Sequence, residues 1–171
     1  MSVISTQPEL YPMEGGCPCG NIRYRMERAP LIVHCCHCTW CRRETGSAFA
    51  LNAMLETRYI TILSPILPTT CSIPSASGAG QTIHRCPSCH IAVCSEYGPN
   101  QPIRMIRVGT LDRSEDVRPG VHIYVSTKMH WVNLAKAECK VFDGFYDRND
   151  VWGSEALERR RLMIAKMEEG A

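Results

Sequence analysis

The 171-residue sequence has no long apolar run, no excess of charge of one sign and no internal repeat. Without about 20 consecutive apolar residues, no segment is expected to cross a bilayer as a helix. The N-terminal "MSVISTQPELYPMEGG" has no basic stretch followed by an apolar one, so no secretory signal is expected. A formal net charge of +2 gives neither nucleic acid nor a membrane surface a reason to bind. Together these absences predict a reducing compartment, the cytoplasm, with the nucleus also open to it. There thiols stay reduced or hold metal rather than pair.

Cysteine is what the sequence has in abundance: 11 residues, an odd number. The remaining composition, 44% apolar and 21% charged, is that of a globular chain, and residues 1–171 are expected to form a single domain with a real core. Period-two alternation dominates the middle. "NIRYRME" places Ile22, Tyr24 and Met26 on one face and Arg23, Arg25 and Glu27 on the other. "LIVHC", "AFALNAML", "YITIL", "IRMIRVG" and "VHIYVS" share that character, and turn formers separate them. The Pro-, Ser- and Gly-rich stretch 64–80 predicts a short edge strand between loops, with "SASGAG" as a flexible turn. One helix is expected, over about 154–169, with Leu157, Met163 and Ile164 toward a core, its charges solvated and Gly170 as its stop. The fold class is therefore mainly β, antiparallel sheets with cysteine-bearing loops closed by a C-terminal helix.

Three cysteine clusters carry the chemistry. Cys17 and Cys19 in "GCPCG" and Cys86 and Cys89 in "RCPSCH" are two short-spaced pairs far apart in sequence. Such pairs, each on a tight loop, make a four-thiolate zinc site whose closed shell is structural. Gly15, Gly16 and Gly20 are expected to let amides turn toward the sulfurs. A redox-active pair at Cys86 would need a βαβ context that is missing here.

The middle cluster, "CCHCTWC", has a different count. Cys36, Cys38 and Cys41 can hold one face of a second zinc, and three protein ligands with an open fourth position are the usual layout of a catalytic site. Three thiolates leave that centre at formal charge −1, a poor acidifier of water but a good partner for an incoming thiolate. His37, Cys35 and His34 are the nearby candidates for a fourth ligand, and a distant cysteine closing the shell is the structural alternative. Cys35 neighbours Cys36 on a strand and points to the opposite face, which reads as a small buried apolar residue. Arg42 and Arg43 follow at once, either to offset the anionic cluster or grip a substrate carboxylate, or as two solvated surface arginines. Cys71, Cys94 and Cys139 read as buried thiols, and His122 as a structural strand histidine.

In this order, "GCPCGNIRY", "CHCTWCRRETGSAF", "CPSCH", "VGTLD" and "HIYVSTKMHW" resemble the glutathione-dependent formaldehyde-activating enzyme family, which includes centromere protein V. The family-like region runs over about 13–135. The resemblance implies a β-rich fold like that of the mammalian suppressor of Sec-four and two zinc ions per chain. Cys17, Cys19, Cys86 and Cys89 would be the structural ligands, and Cys36, Cys38 and Cys41 would hold the catalytic-type ion. It also implies carbon–sulfur lyase chemistry joining or releasing formaldehyde and glutathione. The family usually has an aromatic residue before the third cluster and a glycine after it, where this chain has Arg85 and His90. That replacement predicts a changed turn near Cys89 and brings His90 toward the site or a substrate.

The leading expectation is a zinc-dependent enzyme acting on a small-molecule thiol or thiol adduct, with a homodimer as its quaternary state and neither nucleic acid nor membrane as a partner. A non-catalytic zinc-stabilised binding module and a secondary-metabolism enzyme with a larger substrate in the same pocket are the rivals.

Overall fold

The computed structural model describes residues 7–75, 78–98 and 102–169. In chain order its strands are β1 (Met13–Gly16), β2 (Arg23–Met26), β3 (Ile32–Cys36), β4 (Ala50–Glu56), β5 (Ile60–Ile62), β6 (Thr69–Ile73), β7 (Gln81–Arg85), β8 (Ala92–Tyr97), β9 (Ile103–Arg107), β10 (Val121–Ile123) and β11 (Lys140–Val141). The helices are α1 (Thr39–Thr45), α2 (Arg148–Val151) and α3 (Ser154–Glu169).

The strands form a three-stranded sheet, β1-β2-β5, and an eight-stranded one, β11-β10-β3-β4-β9-β8-β7-β6. The fold is mainly β with a C-terminal helix, as the alternation predicts. The larger sheet is mixed, however, because β10 runs parallel to both β3 and β11. The Pro/Ser/Gly-rich segment supplies the edge strand β6, while residues 76–77 of its "SASGAG" lie outside the described residues.

β3 shows how the sheet is covered. All five of its residues are buried, and successive side chains enter different cores. Val33 packs with Met13, Ile22, Tyr24, Met26, Leu55 and Ile106. Ile32 and Cys36 pack with Val121, Ile123, Tyr146 and Trp152 on the other face. A strand sandwiched in this way must be apolar or satisfied on both sides. His34 meets that condition through a hydrogen bond of 2.6 Å between its Nε2 and the Tyr146 hydroxyl, while Trp152 Nε1 donates to the same oxygen at 2.8 Å. Burial pushes the His34 imidazole down to about 4, which keeps it neutral and able to accept.

Helix α3 corrects one expectation. Met163 is buried and Leu157 and Ile164 are half-buried, yet the charges are not all solvated. Arg159 is 7% exposed and holds Glu56, 1% exposed, through Nε at 3.0 Å and Nη2 at 2.5 Å. Its Nη1 donates to the Ala29 carbonyl at 2.8 Å. A bidentate buried ion pair thus fastens α3 to β4. Gly170 lies outside the described residues.

Candidate metal centres

Cys17 and Cys19 lie on the turn between β1 and β2, Cys86 and Cys89 on the turn between β7 and β8, and the four sulfurs converge within 4.8 Å of one another. Cys17 Sγ is 3.3 Å from Cys19 Sγ, and Cys19 Sγ is 3.6 Å from Cys86 Sγ. Each turn aims amides at a sulfur: Ile22 N donates to Cys17 Sγ at 3.3 Å and Ser88 N to Cys86 Sγ at 3.4 Å. The amides of Cys89 and Ser88 favour the Cys86 thiolate and hold its pKa down to about 6. Asn21 Nδ2 to Ser88 Oγ, at 2.7 Å, ties one turn to the other. Of the flanking glycines, Gly20 takes φ +80 in the turn. Gly16 is needed for a different reason than the one expected, since a Cβ there would collide with the Ile22 carbonyl.

His90 has φ +60 and donates its amide to the Cys86 carbonyl at 3.0 Å. The turn thus places His90 in the left-handed conformation that glycine adopts most readily. His90 itself is exposed. Arg85, the other unusual residue, donates to the His90 carbonyl at 3.0 Å and to Glu44 of α1 at 3.1 Å.

Cys36, at the end of β3, joins Cys38 and Cys41 to make the second convergent trio. Cys38 caps α1, its sulfur accepting from Cys41 N at 3.2 Å, and Gly46 closes the helix with φ +64. The cysteine spacing and the helix are thus one device: a single turn after the cap returns Cys41 to the sulfur of Cys38. Hydrogen bonds from the Cys36 and Cys41 thiols, joined by the Cys41 and Trp40 amides, hold the Cys38 pKa down to about 2. The proton shared toward Cys38 pushes the Cys36 thiol up. Tyr97 and Tyr124 both feel the trio's charge, and burial raises the phenol pKa of each.

Among the described residues, no fourth histidine, cysteine or carboxylate joins this trio within the same distance. His37, fully buried, is turned instead toward Cys35 Sγ at 3.5 Å and His122 Nδ1 at 3.0 Å. Cys35, set aside in the sequence as a packing residue, and His122, set aside as a structural one, are thus part of a third convergent group. Cys94 is buried in a core as expected, whereas Cys71 is exposed on β6 and Cys139 is only half-buried. Cys71 escapes burial because β6 is exposed on both faces from Thr69 to Ser72.

Glu44 of α1 sits at the centre of a buried polar chain. Its carboxylate takes Arg107 Nη2 at 2.6 Å and Arg85 Nη2 at 3.1 Å, and Arg107 Nη1 donates to Asn52 Oδ1 at 2.5 Å. The turn bearing Cys86 and Cys89, the helix bearing Cys41 and the central strand β4 are thereby linked. Nothing in the cysteine spacing signals this chain. Arg42 and Arg43 line a cavity of about 400 Å³ with Thr39, Ser47 and Met129. Among the described residues neither forms an ion pair, and Arg42 Nε is buried without a hydrogen-bond partner.

The family model described as glutathione-dependent formaldehyde-activating enzyme matches residues 12–127. No curated protein sequence matches the chain. A crystal structure of a Rhodobacter sphaeroides protein is similar to it over 75% of this chain and 99% of the other, at 16% identity and a TM-score of 0.45.

Proposed function

The chain belongs to the glutathione-dependent formaldehyde-activating enzyme family, and from that membership we propose that it makes or breaks a carbon–sulfur bond between a small-molecule thiol, such as glutathione, and a small electrophile, such as formaldehyde. The observation that carries this reading is the convergence of the Cys36, Cys38 and Cys41 sulfurs without a fourth side-chain donor beside them, among the described residues. The second support is the cavity lined by Arg42 and Arg43, neither of which forms an ion pair among the described residues.

The donor sets fit zinc. With Zn–S near 2.3 Å, tetrahedral thiolates stand about 3.8 Å apart, and the 3.3 and 3.6 Å separations among Cys17, Cys19 and Cys86 lie close to that edge. Cys17, Cys19, Cys86 and Cys89 would close a structural site, and Cys36, Cys38 and Cys41 would hold a second zinc with one position free. When bound there, zinc would supply a soft acceptor for a substrate sulfur at neutral pH.

The chain's own residues do the rest. Cys38 at the head of α1 keeps the trio anionic and oriented. Arg42, whose Nη1 meets Met129 Sδ, and Arg43 line the cavity and would offer guanidinium charge to a substrate carboxylate there. The reaction balances without an oxidant: thiol sulfur bonds to the carbonyl carbon, the thiol proton leaves to solvent, and water returns a proton to the new hydroxyl oxygen.

Zinc-loaded protein should accelerate formation of the S-hydroxymethyl adduct from glutathione and formaldehyde, followed by proton NMR exchange. Loss of a metal ligand should exceed the 10- to 100-fold cost typical of outer-sphere changes, so Cys38→Ser should lower the rate by more than about 100-fold. Cys71→Ser, on the exposed edge strand, should leave it unchanged. A wild-type rate equal to that in buffer would contradict the proposal.

A further inference from the structure

The structure assigns a third metal site: Cys35 Sγ, His37 Nε2 and His122 Nδ1 together hold a borderline-soft divalent cation, zinc being the natural occupant. The three donor atoms lie within 4.8 Å of one another. This site shares no residue with the two all-cysteine groups and does not depend on the reaction proposed above.

Strand geometry makes the group. Period two puts Cys35 and His37 on one face of the β3 segment while Cys36 points to the other. β10 runs parallel to β3 with His122 directly in register with Cys35, so the second imidazole arrives on that same face. The distances suit a tetrahedral ion. Zn–S near 2.3 Å and Zn–N near 2.05 Å give an S–N edge of about 3.6 Å and an N–N edge of about 3.3 Å. Cys35 Sγ stands 3.5 Å from His37 Nε2, and His37 Nε2 stands 3.0 Å from His122 Nδ1.

His37 is fully buried, and its Nε2 faces both the Cys35 thiol and the second imidazole, so three donor atoms converge on one point. Each of these groups is a known zinc donor, and no carboxylate joins them among the described residues.

The consequence lies one residue away. Cys35 and His37 alternate with Cys36 and Cys38, so an ion on this face clamps from behind the backbone that presents the other trio.

The test uses the whole chain loaded with Co²⁺. Cys35→Ala and His122→Asn should each lower the bound cobalt by one equivalent relative to wild type. The thiolate-to-cobalt charge-transfer band they remove should be about one third of that lost on Cys38→Ser, since one thiolate rather than three goes with the ion. Should either variant fail to fold, zinc K-edge absorption of the wild-type protein decides alone: imidazole scattering must appear, because the other two sites contain only sulfur side chains. Unchanged cobalt content in folded variants, or a zinc edge without imidazole scattering, overturns the assignment.

Discussion

Cys38 combines two roles that are usually separate. Its sulfur caps the N-terminus of α1 by accepting the Cys41 amide, and it also belongs to the convergent trio. A residue of this kind is legible from spacing alone, because C-x-C and C-x-x-C ligands meet through local turns. Cys35, His37 and His122 were not legible in that way. His37 and His122 are 85 residues apart, and only the register of a parallel strand pair brings them together. His90 is intermediate: the sequence marks it as a replaced glycine, and the structure shows that it pays with φ +60. His90→Gly should therefore raise stability by about 0.5–1 kcal/mol, the left-handed cost less glycine's entropy. Urea unfolding of the metal-loaded protein measures this, and a lower midpoint would refute it. Cys94 makes the pH prediction. Burial raises its thiol from 9.0 to about 11. The unfolded chain then loses its proton first, so stability is intact below about pH 9 and falls as pH climbs through 11, by about 2–3 kcal/mol. Cys94→Ala should flatten that slope in urea melts taken from pH 8 to 11; an equal slope in both proteins would show that other groups cause it.

Elements were legible where periodicity was strong. The alternation of Ile22, Tyr24 and Met26 predicted β2, and all three residues are buried. α1 was invisible because it is seven residues long, too short for a helical period, and is capped by a thiol rather than by Ser or Asp. What fixes α1 in place is Glu44, held by Arg107 and Arg85. Arg107 side-chain exposure is 10% and that of Glu44 is 7%, so removing the carboxylate strips a buried guanidinium of its ion pair and leaves it the bond to Asn52. Glu44→Ala should cost about 3 kcal/mol and loosen the helix that carries Cys41. Chemical denaturation reads the loss, and a change below about 1 kcal/mol, the range of a surface pair, would show that the chain is not the anchor. α3 teaches a related lesson. Its pattern gave the helix and its apolar positions, but not the burial of Arg159, because Glu56 lies 103 residues away.

Across the whole molecule, the sheets bring cysteine loops from distant parts of the sequence to the two sides of β3 and to the turn between β7 and β8. No described helix is long and apolar enough to cross a membrane. Residues 12–127 match the family model, and the segment beyond them contributes Tyr146, Val151 and Trp152 to the core against β3 and β10. The scaffold and the candidate reaction centre are thus built by one hydrophobic arrangement, with Cys36 itself among the buried residues of that core.

The central claim is that the Cys36, Cys38 and Cys41 trio leaves room for a sulfur from outside. Optical titration of the Co²⁺-loaded protein with glutathione tests it most directly. The thiolate-to-cobalt charge-transfer band should grow by about one thiolate's share at saturation, with no growth in Cys38→Ser. A spectrum unmoved by glutathione in the fully loaded wild-type protein would contradict the account.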